Sequence, residues 1–160
     1  MQCSIKLVVL SAALAWAGMF SPAFAALGQP ASSVGADGAA QLAASARLFA
    51  MSASGAKTVV SKQVVKTPAG VTIAEYSAGG AVFAVTWAGA VSPDLRQLLA
   101  TYFPQVQQYV ASNPPPFGAP LSMNQGGLVV QTYGHMGALG GSAYLQSQVP
   151  AGFDISQIGG

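Results

Sequence analysis

Residues 57–112 constrain the fold more than any other part of the chain, because strand-like runs there lead directly into an amphipathic helix pattern. The runs are KTVVSKQVVK, VTIAEYS and AVFAVTW, and they are rich in the β-branched and aromatic residues that favour strands. TPAG and AGG separate them and carry the proline and glycine that tight turns require. Short turns join antiparallel neighbours, so this stretch predicts an antiparallel meander.

The helix pattern covers residues 92–112. Ser92 is a suitable N-cap, Pro93 suits the first helical position, and Asp94 favours the positive end of the helix dipole. Apolar residues recur at helical spacing, at positions 95, 98, 99, 102, 106, 109 and 110. Pro104 removes one backbone bond, but the apolar face keeps its phase across it. We therefore expect one kinked amphipathic helix.

Two further strand patterns follow the proline-rich NPPPFGAP. They are GGLVVQTYG (126–134) and SAYLQSQV (142–149), and the glycine-rich GHMGALGG joins them. Alternation places Phe83, Val85 and Trp87 on one sheet face, where we expect them to pack against the helix. The predicted class is α+β, with an antiparallel sheet of about five strands and a kinked amphipathic helix packed on one face.

The N-terminal 25 residues have the pattern of a secretory signal peptide. Lys6 gives a positive start, residues 7–19 form an apolar run too short to span a bilayer comfortably, and AFA supplies a small-residue cleavage site. The pattern predicts cleavage before Ala26, export to the periplasm or the medium, and no stable membrane span after removal. The alternative is an uncleaved N-terminal anchor.

The segment that follows, residues 26–56, is less regular. It begins with a turn-rich lead-in and continues as an alanine-rich stretch, which predicts a helix over residues 37–51 because alanine favours helix. Residues 57–160 would form the α+β domain. Residues 26–160 are long enough to fold as one domain with a proper core.

Composition excludes several classes of function. The single cysteine, Cys3, lies in the predicted signal peptide, so disulfides, thiol catalysis and cysteine-ligated metals are not expected in the mature chain. Charged residues make up 6% of the chain, against about 25% in ordinary soluble domains. We therefore expect no nucleic acid, metal or cofactor to bind. Charge-poor surfaces tend to associate, which makes self-association possible.

Four polar side chains are weak candidates for function. His135 is the only histidine, and beside a glycine-rich turn it could act with a carboxylate in a small hydrolase or serve only as a polar turn residue. Lys62 and Lys66 share a strand face, where they could contact anionic groups or protect an edge strand from aggregation. Glu75 shares a face with apolar residues of its strand, as a partly buried acid or an edge residue. No pair of carboxylates is marked out for catalysis.

Several of these stretches resemble the secreted proteobacterial proteins grouped as domain of unknown function 2844. The resemblance rests on GVTIAEYSAGGAVFAVTWAG, PDLRQLLATYF and GGLVVQTYGHMGALGGSAYLQSQVPAGF, together with the lead-in LGQPASSVGAD. It implies export and a single small domain, and it carries over no catalytic residue. The chain differs from the common family pattern in its alanine-rich residues 39–50.

These observations favour an exported, non-enzymatic accessory or binding protein, with another envelope or secreted protein as its partner. Two alternatives remain. One is a small hydrolase that uses His135 with a carboxylate, and the other is a structural envelope protein that associates with itself.

Overall fold

Seven strands and one interrupted helix make up the regular structure of the protein, in a computed structural model that describes residues 26–30, 46–51, 57–116 and 118–158. The strands are β1 (Ala46–Met51), β2 (Lys57–Lys66), β3 (Thr72–Ala78), β4 (Ala81–Gly89), β5 (Ser122–Gln125), β6 (Leu128–His135) and β7 (Ala138–Leu145). The helical segment consists of α1 (Leu95–Leu99), a 3-10 turn (Ala100–Tyr102) and α2 (Phe103–Ser112).

Antiparallel pairing joins the strands into a single sheet of order β1-β2-β3-β4-β7-β6-β5, with the helical segment on one face. The predicted α+β class and the meander of β2, β3 and β4 are therefore confirmed. The strand count is higher than the expected five. Six strands lie between residues 57 and 145, and β1 adds a seventh at the edge. The short β5 was missed because its sequence, SMNQ, is not rich in β-branched or aromatic residues.

The helix predicted over residues 37–51 is wrong for its last six residues, which form β1. This strand pairs with β2 from Ala46 opposite Lys62 to Met51 opposite Lys57. Alanine's preference for helix is worth less than about 1 kcal/mol per residue, so pairing with the outer side of β2 can override it. Residues 37–45 and the predicted signal peptide lie outside the described residues.

The prediction that Phe83 faces the helix is wrong, because a β-bulge interrupts the pairing of β3 with β4 at this residue. Tyr76 lies opposite Ala84, but the next residue of β3, Ser77, lies opposite Val82, so Phe83 is an extra residue in β4. An extra residue reverses the alternation of side chains on one side of the bulge. Val85 and Trp87 therefore face the helix as predicted, whereas Phe83 faces the other way.

The helix begins later than its sequence pattern predicted. Asp94, not Ser92, is the N-cap, because its Oδ1 accepts a hydrogen bond of 2.9 Å from the backbone N–H of Arg96. The expected kink is present, and its most irregular residue is Ala100, with a φ of 44°. In an unbroken helix the ring of Pro104 would collide with the carbonyl of Ala100, so the backbone departs from helical geometry there. Pro104 then lies in the first turn of α2, where proline is tolerated.

The helix-side core lies between the helical segment and the sheet. Leu27, from the N-terminal residues 26–30, is fully buried in it. The backbone N–H of Leu27 donates to Leu98 O at 3.1 Å, and that of Gly28 donates to Val82 O at 2.8 Å. These two bonds attach residues 26–30 to both layers. Other members are Val71, Ile73, Val82, Val85, Trp87, Leu98, Leu99, Val106, Met123, Leu128, Val130, Ala143 and Leu145.

A second cluster, the tail-side cluster, lies on the opposite face of the sheet. Phe153, from the C-terminal residues 146–158, packs edge-on against Phe83 with ring centroids 5.4 Å apart. Tyr76 donates its hydroxyl hydrogen to Gln157 O at 3.1 Å. The C-terminal segment therefore covers one part of this face. In the described part of the chain, neither α1 nor α2 is long and apolar enough to cross a membrane.

Candidate functional site

The part of the sheet face that the C-terminal segment leaves uncovered forms an open groove of about 340 Å³. We call it the open-face groove. The residues that line it come from β2, β3, β4 and β6, and they are Lys62, Val64, Thr72, Ala74, Thr86, Trp87, Ala88 and Tyr133. Because these strands are hydrogen-bonded through the sheet, the groove has a rigid base.

Small side chains make the floor of the groove low. Thr72 lies directly opposite Ala88, and Ala74 lies directly opposite Thr86, on the paired strands β3 and β4. Alanine and threonine project less from a sheet than the aromatic residues of the neighbouring tail-side cluster. The floor therefore offers the exposed hydroxyl of Thr72, and the more deeply placed hydroxyl of Thr86, which is 8% exposed, on a partly apolar surface.

Tyr133 forms one wall, and a strand glycine determines where its ring lies. Tyr133 of β6 pairs with Gly140 of β7, and Gly140 pairs with Ala88 of the floor. A Cβ atom built on Gly140 would lie 2.5 Å from Tyr133 Cε2, so the ring lies directly on the Gly140 backbone. The side chain is nevertheless 54% exposed. It presents an aromatic surface to solvent at the edge of the groove.

Lys62 forms the opposite wall. Lys62 and Lys66 share this face of β2, as their spacing predicted, and Lys62 Nζ lies 5.2 Å from the centre of the Tyr76 ring. This cation–π contact keeps the ammonium group close to the sheet. Lys62 pairs with Ala46 of β1, so it does not lie on an open edge, whereas Lys66 lies beyond the last residue of β2 that β1 contacts.

Glu75 lies on the other face of the sheet and takes no part in the groove. It belongs to β3, between Gln63 of β2 and Val85 of β4, so its interpretation as an edge residue is wrong. The residue is 2% exposed, and its Oε2 has no hydrogen-bond partner among the described residues. Burial raises the pKa of the Glu75 carboxyl to about 7.

His135 lies at the exposed tip of the β6–β7 hairpin. The expected glycine-rich linker is instead a two-residue turn, Met136 and Gly137, because β6 and β7 pair as far as His135 and Ala138. The His135 Nδ1 lies 3.1 Å from the Met136 carbonyl oxygen. A strand spacing of about 4.8 Å and a rise of about 3.3 Å per residue place His135 and Glu75 roughly 20 Å apart. The fold therefore does not bring this pair together.

The other two described carboxylates cap turns. Asp94 caps α1, and Asp154 Oδ1 accepts a hydrogen bond of 2.9 Å from the backbone N–H of Ser156. This bond lowers the pKa of Asp154. Among the described residues, no three histidine, cysteine, aspartate or glutamate side chains cluster in a way that could hold a metal ion.

A second depression, of about 320 Å³, lies between the β2–β3 turn and the start of α1. Val71, Ile73 and Leu98 of the helix-side core form its apolar base. Among the described residues that line it, Asp94 carries the charge, and its Oδ1 already accepts the capping bond of the helix. The Thr67 and Ser92 hydroxyls of the lining also make local bonds, to the backbone of Val71 and Pro93.

The lysines of the groove were found from the sequence, whereas Tyr133, Thr72 and Thr86 were missed. The available signal was the Gly140–Gly141 pair, which the sequence pattern placed in the linker but which lies inside β7. Such glycines mark places where a side chain lies directly on the backbone. Here Tyr133 lies on Gly140, and Trp87 lies on Gly141 from the opposite face.

The family model described as "Protein of unknown function (DUF2844)" matches residues 23–158. The chain belongs to this family. The resemblance noted in the sequence is confirmed, and the DUF2844 match includes every residue of the open-face groove. No curated protein and no solved structure matches the chain.

Proposed function

We propose that this DUF2844 protein is an exported, non-enzymatic binding protein and that the open-face groove is its ligand-binding surface. The observation that carries the proposal is the groove itself: a floor with threonine hydroxyls, between a lysine wall and a tyrosine ring that lies on a glycine. Ligand sites combine apolar surface with a few oriented polar groups in this way.

The chemistry of the groove supports binding better than catalysis. Its side chains supply an ammonium group, hydroxyls and an aromatic ring, all of which can hold a ligand. General acid–base catalysis needs a proton donor or acceptor within hydrogen-bond reach of the reacting group. The described carboxyl with a pKa near 7, Glu75, is buried on the opposite face. Export is proposed from the signal-peptide pattern of residues 1–25.

Methyl NMR of the threonines would test the groove whatever the identity of its ligand. Protein labelled at threonine methyl groups is titrated with a concentrated, protein-free extract of the cell envelope and with a matching protein fraction. We expect the signals of Thr72 and Thr86 to shift, while that of Thr101, on the exposed side of the helical segment, stays unchanged.

A blocking variant completes the test. Ala88→Trp places a large side chain on the exposed floor of the groove, and Ala111→Trp places the same side chain on the exposed end of α2. Only Ala88→Trp should abolish the shifts of Thr72 and Thr86. The proposal is wrong if neither fraction shifts these signals, or if Ala88→Trp leaves the shifts intact.

A further inference from the structure

We infer that the ligand of the open-face groove is an anionic saccharide, with its acidic group at the lysine wall and a sugar ring against Tyr133. The inference rests on the proposed function, since it names the ligand class of the same groove. It follows from charge, from the exposed ring, from the hydroxyl floor, and from the distance between the two walls.

The positive charge of the lysines determines which charge the ligand should carry. Lys62 lines the groove, and Lys66 lies on the same face of β2, opposite Thr72 of the floor. Among the residues that the structure describes, no aspartate or glutamate lines the groove. Lys66 is exposed on this face, so its charge acts at the surface that a ligand would contact. An acidic group is therefore the favoured partner at this wall.

The exposed ring and the hydroxyl floor favour a sugar. A sugar ring has an apolar C–H face that packs on an aromatic ring, and a rim of hydroxyl groups. Tyr133 provides such a ring, held against the backbone of Gly140 and 54% exposed. Thr72 and Thr86 provide side-chain hydroxyls that both donate and accept hydrogen bonds.

The spacing of the two walls fits a short oligosaccharide. Lys66, Thr72, Ala88, Gly140 and Tyr133 form one continuous row of paired residues across five strands. Four strand spacings of about 4.8 Å separate Lys66 from Tyr133 by roughly 19 Å between Cα atoms. Lys66 is exposed at one end of this row, and Tyr133 is exposed at the other. A span of this length suits a short oligosaccharide.

Two other ligand classes fit less well. An acyl chain requires an enclosed apolar channel, whereas this groove lies on an open sheet face with hydroxyl groups in its floor. An extended peptide binds by adding to a free strand edge. The floor strands β3 and β4 are paired on both sides within the sheet and offer no free edge.

The test uses trigalacturonate as the anionic probe and its full methyl ester as a neutral probe of the same framework. Dissociation constants are measured by NMR titration at low and moderate salt. We expect the acid to bind about tenfold more tightly than the ester, since one charge-assisted hydrogen bond accounts for such a difference. Added salt should weaken binding of the acid only.

Variants of the wall residues test which part of the probe each wall binds. Lys62→Gln and Lys66→Gln should each weaken binding of the acid several-fold and leave binding of the ester unchanged. Tyr133→Leu still covers Gly140 but lacks an aromatic ring, so it should weaken binding of both probes. Arg96→Gln is the control, because Arg96 packs on Phe103 of the helical segment, with 5.5 Å between its guanidinium carbon and the ring centre.

The possible outcomes distinguish an error in the ligand class from an error in the choice of the groove as the binding site. Equal binding of acid and ester, lost in Tyr133→Leu, would overturn the anionic class and leave the groove as a binding site. The absence of binding by both probes, while envelope extract still shifts the threonine signals, would overturn the saccharide and not the proposed function. If neither the probes nor the extract shift those signals, both proposals are wrong.

Discussion

At the scale of single residues, Glu75 places a carboxyl group where the surroundings favour an apolar side chain. It lies on the same face of β3 as Ile73, and it is 2% exposed. Burial without a partner for Oε2 favours the neutral form, which raises the pKa to about 7. The carboxyl therefore changes charge near neutral pH in the middle of the protein.

Glu75 should make the protein less stable as the pH rises. The ordinary pKa of glutamate is 4.5, and the buried group has a pKa of about 7, so between these values the unfolded chain loses the proton first. The free energy of unfolding should fall across this range by about 3 kcal/mol in total and stay low above it. Urea denaturation of the wild type and Glu75→Gln at pH 4.5 and pH 8 measures this. The decrease should be much smaller in the variant.

Asp154 provides a control, because the pKa of its carboxyl is shifted in the opposite direction. Its exposed carboxylate has a pKa below the ordinary 3.8 because it accepts the backbone N–H of Ser156. Its contribution to stability is therefore present above pH 3.8 and lost as the pH falls. Asp154→Asn should leave the decrease between pH 4.5 and pH 8 unchanged. A wild-type protein as stable at pH 8 as at pH 4.5 would show that Glu75 is not buried as described.

The adjacent glycines of β7 should respond unequally to substitution. A Cβ atom on Gly141 would collide with the buried Trp87 ring and lie 2.6 Å from Gln131 O, whereas one on Gly140 would meet the exposed Tyr133 ring. Gly141→Ala should lower the free energy of unfolding by about 1–3 kcal/mol, the usual cost of overpacking. Gly140→Ala should cost less, since Tyr133 can move into solvent. Chemical denaturation measures the free energy of unfolding of both variants. Equal losses would contradict the described positions of the Tyr133 and Trp87 rings.

At the scale of elements, short-range patterns predicted the meander and the helix because turns and amphipathic faces are determined by neighbouring residues. The face of Phe83 could not be predicted, since a bulge depends on how β3 and β4 pair and not on the composition of β4. The strand at residues 46–51 depends in the same way on the outer side of β2. Ala100 became the irregular residue because of a proline four positions away.

The candidate site was predicted only in part for the same reason. Lys62 and Lys66 share a face in any strand, so their relation could be inferred from spacing alone. Tyr133 reaches the floor of the groove only because β7 lies between β4 and β6 and carries a glycine at the point of contact. That order of strands is a property of the assembled sheet.

The packing of the helical segment leads to a prediction at this scale. Leu98 is 2% exposed in the helix-side core, whereas Gln107 is exposed on α2. Leu98→Ala should lower the free energy of unfolding by about 2–5 kcal/mol, through lost burial and the cavity left behind. Gln107→Ala should change it by less than about 0.5 kcal/mol. Denaturant titrations of both variants measure these two changes. Equal, small changes would mean that the helical segment does not pack on the sheet.

At the scale of the whole molecule, the two faces of the sheet differ in how they are covered. The helical segment and residues 26–30 close one face, and the C-terminal segment covers only part of the other. The open part carries the lysines and the exposed tyrosine in a chain with only 6% charged residues. We propose that self-association, the alternative to ligand binding, would use this same surface. In that case light scattering should give a smaller molar mass for Ala88→Trp than for the wild type, and equal masses would contradict it.

The proposed export leads to a prediction about the mature chain. Removal of residues 1–25 should give a protein that begins at Ala26, because AFA is the small-residue site before it. Intact-mass measurement of the protein recovered from the periplasm or the medium checks this. A mass that includes residues 1–25 would contradict cleavage and favour an N-terminal anchor.

The attachment of residues 26–30 has a consequence for the order of events during export. A protease needs its substrate extended and accessible on both sides of the bond that it cuts. Ala26 is 6% exposed, and Leu27 is fully buried with its backbone N–H bonded to Leu98 O. The proposed cut before Ala26 must therefore come before Leu27 enters the core. A chain that folds too early, with Leu27 already in the core, would be protected from its own signal peptidase.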